Sequence, residues 1–179
     1  MASILNVDQI NNAAGTSAVT LDPSTGKPSF PNGANLPAGS VVQLAHSTTA
    51  GGGGSSSASS FTDTGVSVSI TPKYATSKIL IIVHQVMVIT YDGGHTRVDF
   101  RCIEAGGTEI YRMDFHGQDQ NVGVLTGRNF SGSGVFQCSS TSALTFKTQA
   151  QKASGIEGIW YPLWYHDSIH TIQALEIAQ

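Results

Sequence analysis

The sequence predicts an all-β protein: an antiparallel β-sandwich, jelly-roll-like, behind an extended amino-terminal arm. Three observations carry this. Val66-Ser67-Val68-Ser69-Ile70 alternates strictly between apolar and polar residues, the mark of a strand with one buried face. Glycine-containing turn signals separate several such runs. No stretch repeats apolar residues at the three- and four-residue spacing of an amphipathic helix.

Residues 1–37 differ in character from the rest of the chain. One short alternating run, Ile4-Leu5-Asn6-Val7-Asp8-Gln9-Ile10, is followed by Asn11-Asn12-Ala13-Ala14-Gly15-Thr16 and a second run, Ala18-Val19-Thr20-Leu21. Pro23, Gly26, Pro28, Pro31, Gly33 and Pro37 then exclude a helix and any long central strand. Such a segment buries too little apolar surface to offset its own ordering entropy. It is expected to be ordered by another chain, as an adaptor arm. Ile4, Val7, Ile10, Val19 and Leu21 are the side chains a docking partner would bury.

Residues 38–179 form the predicted head. Ala38-Gly39-Ser40-Val41-Val42-Gln43-Leu44 enters it as a strand, with Val42 and Leu44 on one face. Residues 51–60 are a flexible Gly/Ser loop. Pro72 ends the strand that contains Val66, Val68 and Ile70. Residues 78–91 are apolar on both faces, as in a central strand buried on two sides. Asp92-Gly93-Gly94 predicts a tight hairpin. In the next run Val98, Phe100 and Cys102 point inward and Arg97, Asp99 and Arg101 outward. Ala105-Gly106-Gly107 predicts a second hairpin into residues 108–115, completing a meander. Residues 117–134 are glycine-rich and read as longer loops with a short strand near Val122-Gly123-Val124-Leu125. Residues 135–138, 143–150 and 169–178 complete eight or nine strands at sandwich-like spacing.

Composition narrows the function. At 179 residues the chain holds one ordinary domain plus an arm. Charged residues make up 12%, about half the usual share of roughly 25%. Much surface is therefore neutral, and part of it is expected to be covered by other copies. A formal net charge of −3 gives no attraction to nucleic acid or anionic lipid. The longest apolar run, residues 79–89, is interrupted by His84-Gln85 and falls short of the ~18–20 residues of a membrane span. No secretory signal pattern opens the sequence. Cys102 and Cys138 lie in strand-like runs and read as buried free thiols, with a disulfide as the alternative.

Two parts of the sequence resemble a known group. The segment from Ile4 through Asp22 is similar to the leading segment of short fibre and appendage proteins of tailed bacteriophages. Gly39-Ser40-Val41-Val42-Gln43, the stretch Ser69-Ile70-Thr71-Pro72-Lys73-Tyr74 with the residues to Ile81, and the ending His170-Thr171-Ile172-Gln173-Ala174-Leu175-Glu176-Ile177-Ala178 resemble their jelly-roll heads. The resemblance implies a homotrimer on the virion surface, attached to other virion proteins by its amino end.

Candidate chemistry is sparse. His166-Asp167-Ser168-Ile169-His170 is the one local cluster of metal-ligating types, but strand residues four apart lie roughly 13 Å apart. A polar turn with solvated histidines is expected, with no metal and no cofactor. Glycines 51–54 lack the Lys-Ser/Thr of a phosphate loop. Asp99, Glu104, Glu109 and Asp114 would suit glycan cleavage as paired carboxylates, yet Arg97 and Arg101 beside them point to cross-strand ion pairs on a solvated face. Trp160-Tyr161-Pro162-Leu163-Trp164-Tyr165 is the richest stretch. Trp160, Tyr161, Trp164 and Tyr165 would serve as a glycan-stacking platform or fill a core or subunit interface.

The expected function is that of a non-enzymatic virion protein: a homotrimeric short fibre docked by its arm, presenting heads to host-surface glycan. A capsid decoration protein without receptor binding and a polysaccharide-degrading enzyme are the alternatives.

Overall fold

The computed structural model describes residues 9–11, 14–15, 17–29, 36–50, 54–56, 58–91, 94–119, 125–154, 156–161 and 169–179. It divides the chain into two compact units, Met1–Pro37 and Ala38–Gln179.

The first unit pairs with itself rather than running as a plain extended arm. Strands β1 (Gln9–Asn11), β2 (Ser17–Leu21) and β3 (Pro28–Ser29) make an antiparallel sheet in that order. Pro23 and Gly26 sit in the turn between β2 and β3, and Pro28 opens β3 instead of preventing it. Asp22 accepts the Ser24 and Thr25 backbone N–H groups at 2.9 and 2.7 Å, and Gly26 takes the left-handed conformation that closes the turn. Strands this short pair through backbone alone and need no core.

Among the described residues the second unit holds ten strands: β4 (Val41–Ala50), β5 (Gly54–Ser56), β6 (Thr62–Ile70), β7 (Lys78–Tyr91), β8 (Gly94–Glu104), β9 (Glu109–Asp119), β10 (Leu125–Gln137), β11 (Leu144–Ser154), β12 (Ile156–Tyr161) and β13 (Ile169–Ile177). One sheet is ordered β4-β13-β7-β12-β5 with β10 also paired to β7; the other is β6-β11-β8-β9. All pairings are antiparallel. Leaving out the short strands β5 and β12, the long strands taken in chain order lie 1-8-3-6 in one sheet and 2-7-4-5 in the other. That is the double Greek-key order of a jelly roll. The all-β sandwich is therefore as the sequence predicts.

The core lies between the sheets. Val66, Val68 and Ile70 of β6 and Phe100 and Cys102 of β8 meet Ile79, Ile81 and Val83 of β7 and Ile172 and Ala174 of β13. Phe100 packs on Phe130 with ring centroids 5.1 Å apart, and Phe136 meets Phe146 edge-on at 5.5 Å. Cys102 and Cys138 are both buried and free. Burial pushes the Cys102 thiol up to about 12, so it behaves as a small apolar core residue.

Four local expectations are corrected. First, β7 and β8 form no hairpin: they lie in different sheets, and residues 92 and 93 lie outside the described residues. Hairpins and corners between sheets use the same glycine chemistry, so composition alone does not separate them. The β8–β9 hairpin does form, closed by Gly107 at φ 106°. Second, residues 125–137 are one long strand, paired with β7 from Leu125↔Thr90 to Gln137↔Lys78. Its glycines mark close approach, not loops: a Cβ on Gly134 would lie 2.8 Å from the Ile110 carbonyl oxygen, and one on Gly132 would lie 2.6 Å from the Tyr111 ring. The two sheets close together along β9 and β10.

Third, residues 54–56 of the Gly/Ser loop form β5, because the β12 edge pairs through backbone and asks nothing of side chains. Fourth, the register between β4 and β13 slips at Val42. Val41 and Leu44 are the exposed pair there, while Val42 is half-buried.

Candidate functional site

The predicted docking residues fall partly among those described. Ile4 and Val7 lie outside the described residues. Ile10 on β1 stands opposite Val19 on β2 and is 54% exposed; Leu21 is exposed and Val19 half-buried.

The predicted aromatic platform is placed only in backbone. Trp160 pairs with Val88 of β7 on one side and Ser55 of β5 on the other, and Tyr161 pairs with Gly54. Trp164, Tyr165 and His166 lie outside the described residues.

His170 corrects the expectation of solvated histidines. It is fully buried on β13, and its Nδ1 accepts the Val86 backbone N–H at 3.2 Å. Burial, and after it the neighbouring His84, holds its pKa below the ordinary value. Close to it in the sheet, Gln85 is also buried, and its Oε1 accepts from Thr148 Oγ1 at 2.9 Å and Thr64 Oγ1 at 3.3 Å. The two threonine hydroxyls also lie within hydrogen-bonding distance of each other, so their two protons are shared among three contacts. This polar knot ties β7 to β6 and β11 across the sandwich.

The outer face of the four-stranded sheet carries the ion pairs. A continuous line runs Asp63–Gln149–Arg101–Glu109–Arg112 over β6, β11, β8 and β9, with links of 2.7 to 3.3 Å. Lys147 adds a second contact to Asp63 at 2.8 Å. Arg101 and Arg112 also lie over the Phe61 ring, with guanidinium carbons 3.8 and 5.0 Å from its centroid. Nothing in the sequence pattern singles out Phe61.

Asp99 and Asp114 face each other across β8 and β9 with Arg97 bridging them at 2.7 and 3.3 Å. Asp99 is 3% exposed, so the face is not simply solvated as expected. Gln151 and Arg97 cover it. Burial alone would raise the Asp99 carboxyl, but hydrogen bonds from Gln151 and Arg97 outweigh it and hold the group below its ordinary value. A glycosidase acid needs the opposite shift. Glu109 is lowered too, chiefly by Arg112. These carboxylates are ion-pair partners. Among the described residues no group of three His, Cys, Asp or Glu side chains comes together to hold a metal.

Glu176 is the organising residue that sequence reasoning missed. Fully buried on β13, its carboxylate accepts from Lys73 N at 2.8 Å, Tyr74 N at 3.1 Å, Ser77 Oγ at 2.7 Å and Gln43 Nε2 at 2.6 Å. Burial acts to raise its pKa, but these donors outweigh it and hold it below the ordinary value. A Glu in an alternating strand looks like a solvent-facing residue until the 71–77 loop is seen to fold over it.

No protein-family model matches the sequence, and no curated protein matches it. Solved structures with a similar course of chain include infectious bursal disease virus Gx strain (16% identity, TM-score 0.35, covering 90% of this chain and 36% of that one). T=1 particles derived from the same virus match at 15% identity and TM-score 0.36, and its VP2 subviral particle at 15% and 0.34. The chain spans little more than a third of each of those chains.

Proposed function

We propose that this chain is a non-enzymatic virion structural protein of a tailed bacteriophage: a homotrimeric short fibre whose residues 1–37 dock to other virion proteins and whose head meets host-surface glycan. One observation carries the reading. Met1–Pro37 is a separate unit whose Ile10 and Leu21 side chains lie exposed, ahead of an independently packed sandwich. The depressed Asp99 and Glu109 carboxylates support a non-enzymatic head. Trimers repeated on one particle would raise weak glycan binding by avidity.

Light scattering on the full chain tests the assembly, with three times 18.7 kDa expected. Ile10→Asp should leave the trimer intact and prevent incorporation into particles; normal incorporation would remove the docking role. Melting and cell adsorption of Trp160→Ala and Trp164→Ala, measured together, test the glycan site. Lowered adsorption at unchanged melting would support the glycan site, whereas a melting point many degrees lower, expected for at least one of the two, would make that ring structural. Unchanged adsorption, with particles that lose stability when the protein is absent, would make it a decoration protein.

A further inference from the structure

The two outer faces of the sandwich differ in kind. On β6 the outward positions Asp63, Gly65, Ser67 and Ser69 are all exposed and none is apolar. On β7 they are Leu80, Ile82, His84 and Val86. An antiparallel strand with one wet face alternates, whereas a strand covered on both sides reads as a nearly continuous apolar run. The run in β7 therefore calls for a cover on both faces, and the sandwich supplies only the inner one.

The register shows what is left open. Leu44 of β4 lies opposite Leu175 of β13, Leu175 opposite Leu80 of β7, and Leu80 opposite Val135 of β10. Adjacent strands are about 4.8 Å apart, so this aliphatic row is about 15 Å long. Val41 flanks it opposite Ile177, and Ile82 stands in the next row. Val41, Leu44 and Val135 are 55%, 58% and 56% exposed. Further rows turn polar, with Gln173 and Ser133, then Thr171, His84 and Ser131.

Charge selects the occupant. Among the described residues of this face, Lys78 is the one Lys, Arg, Asp or Glu, while the ion pairs lie on the other sheet. A partner recognised through charge would find almost nothing to pair with. An identical copy meets no like-charge repulsion over the aliphatic row, and an apolar centre with a polar rim is the make-up of an interface between subunits. We propose that the outer face of the β4-β13-β7-β10 sheet, centred on Leu44, Leu175, Leu80 and Val135, is covered by a second copy of this chain. The proposal rests on the homo-oligomeric reading above and adds which surface builds it.

The test uses the full chain and two measurements. In sedimentation equilibrium Leu44→Glu and Val135→Glu should weaken assembly at least a hundredfold, with unchanged far-ultraviolet circular dichroism because both positions are more than half exposed in the lone chain. Ser67→Glu, on the opposite sheet, should assemble as wild type. In the second measurement the thiol of Leu44→Cys should react with a maleimide at least tenfold more slowly than that of Ser67→Cys at concentrations where the oligomer is intact. The native cysteines are buried and give a low background. If a glutamate variant fails to fold, the thiol rates decide. Glutamate variants that assemble normally, or equal thiol rates in an intact oligomer, would overturn this surface while leaving homo-oligomerisation standing. A monomeric wild type would overturn both. Slow labelling in such a monomer would mean that the chain's own arm covers the face, and binding of the monomer to phosphatidylcholine vesicles would assign it to lipid.

Discussion

Ser77 Oγ donates a hydrogen bond to the Glu176 carboxylate at 2.7 Å, joining the loop before β7 to the strand that lies between β4 and β7. Gln43 reinforces the joint, since its Nε2 reaches both Glu176 and the Thr71 carbonyl at 2.6 Å. Glu176→Ala would leave two backbone N–H groups and two side-chain donors without their acceptor. It should cost at least about 3 kcal/mol in urea unfolding. Glu176→Gln, which retains one acceptor oxygen, should cost less. Equal losses would mean that volume, not hydrogen bonding, matters at this position.

Acid should destabilise the head in two stages. The folded pKa of His170 is lowered, so the unfolded chain takes up a proton near the ordinary value of about 6.5 while the folded chain does not. Stability falls as pH drops through that range and levels off below the folded value. Glu176 is also lowered, so the stability it supplies is complete above the ordinary carboxylate value and is lost as pH falls towards the folded one. Melting temperature against pH should show both declines. His170→Leu should remove the upper one while lowering stability overall, because Val86 N–H loses its acceptor.

The Gln85 knot gives an unequal pair of variants. Thr148→Val removes the closer donor to Gln85 Oε1 and should cost about 1–3 kcal/mol. Gln85→Met removes the whole amide and leaves Thr64 and Thr148 bonded to each other. It should cost less than Thr148→Val. The reverse order in denaturant midpoints would show that the amide makes a bond stronger than those to the two hydroxyls.

The closed edge between the sheets depends on missing side chains. Gly134→Ala would drive a methyl against the Ile110 backbone and should destabilise by about 1–3 kcal/mol. Gly127→Ala, on the same strand, meets nothing within 4 Å and should be close to neutral. Thermal melting of the two variants measures the contrast directly.

Strands whose residues alternate were legible in the sequence, as β6 and β8 show, because burial of one face writes itself into the residue types. β10 was not. Its Gly127, Gly132 and Gly134 mimic a loop, and the close approach at Gly132 and Gly134 comes from Tyr111 and Ile110 on another strand. The separation of β7 from β8 was equally hidden, since a corner and a hairpin share turn residues. Among site residues, the engagement of Asp99 by Arg97 was readable from alternation, whereas the roles of Glu176, Phe61 and the buried His170 depend on segments distant in sequence.

The position of β13 between β4 and β7 has a consequence for synthesis. Until residues 169–177 have left the ribosome, β4 has no neighbour on that side and half of β7 presents an unpaired edge. The four-stranded sheet has all its members by residue 154, so it waits beside an unfinished partner. The chain cannot complete its head progressively from the amino end; closure comes as a late, long-range event, and folding should be slow for its size. During that interval β7, with its run of aliphatic residues, is the segment most exposed to wrong pairing, and a chaperone or rapid meeting with sister chains would matter most then.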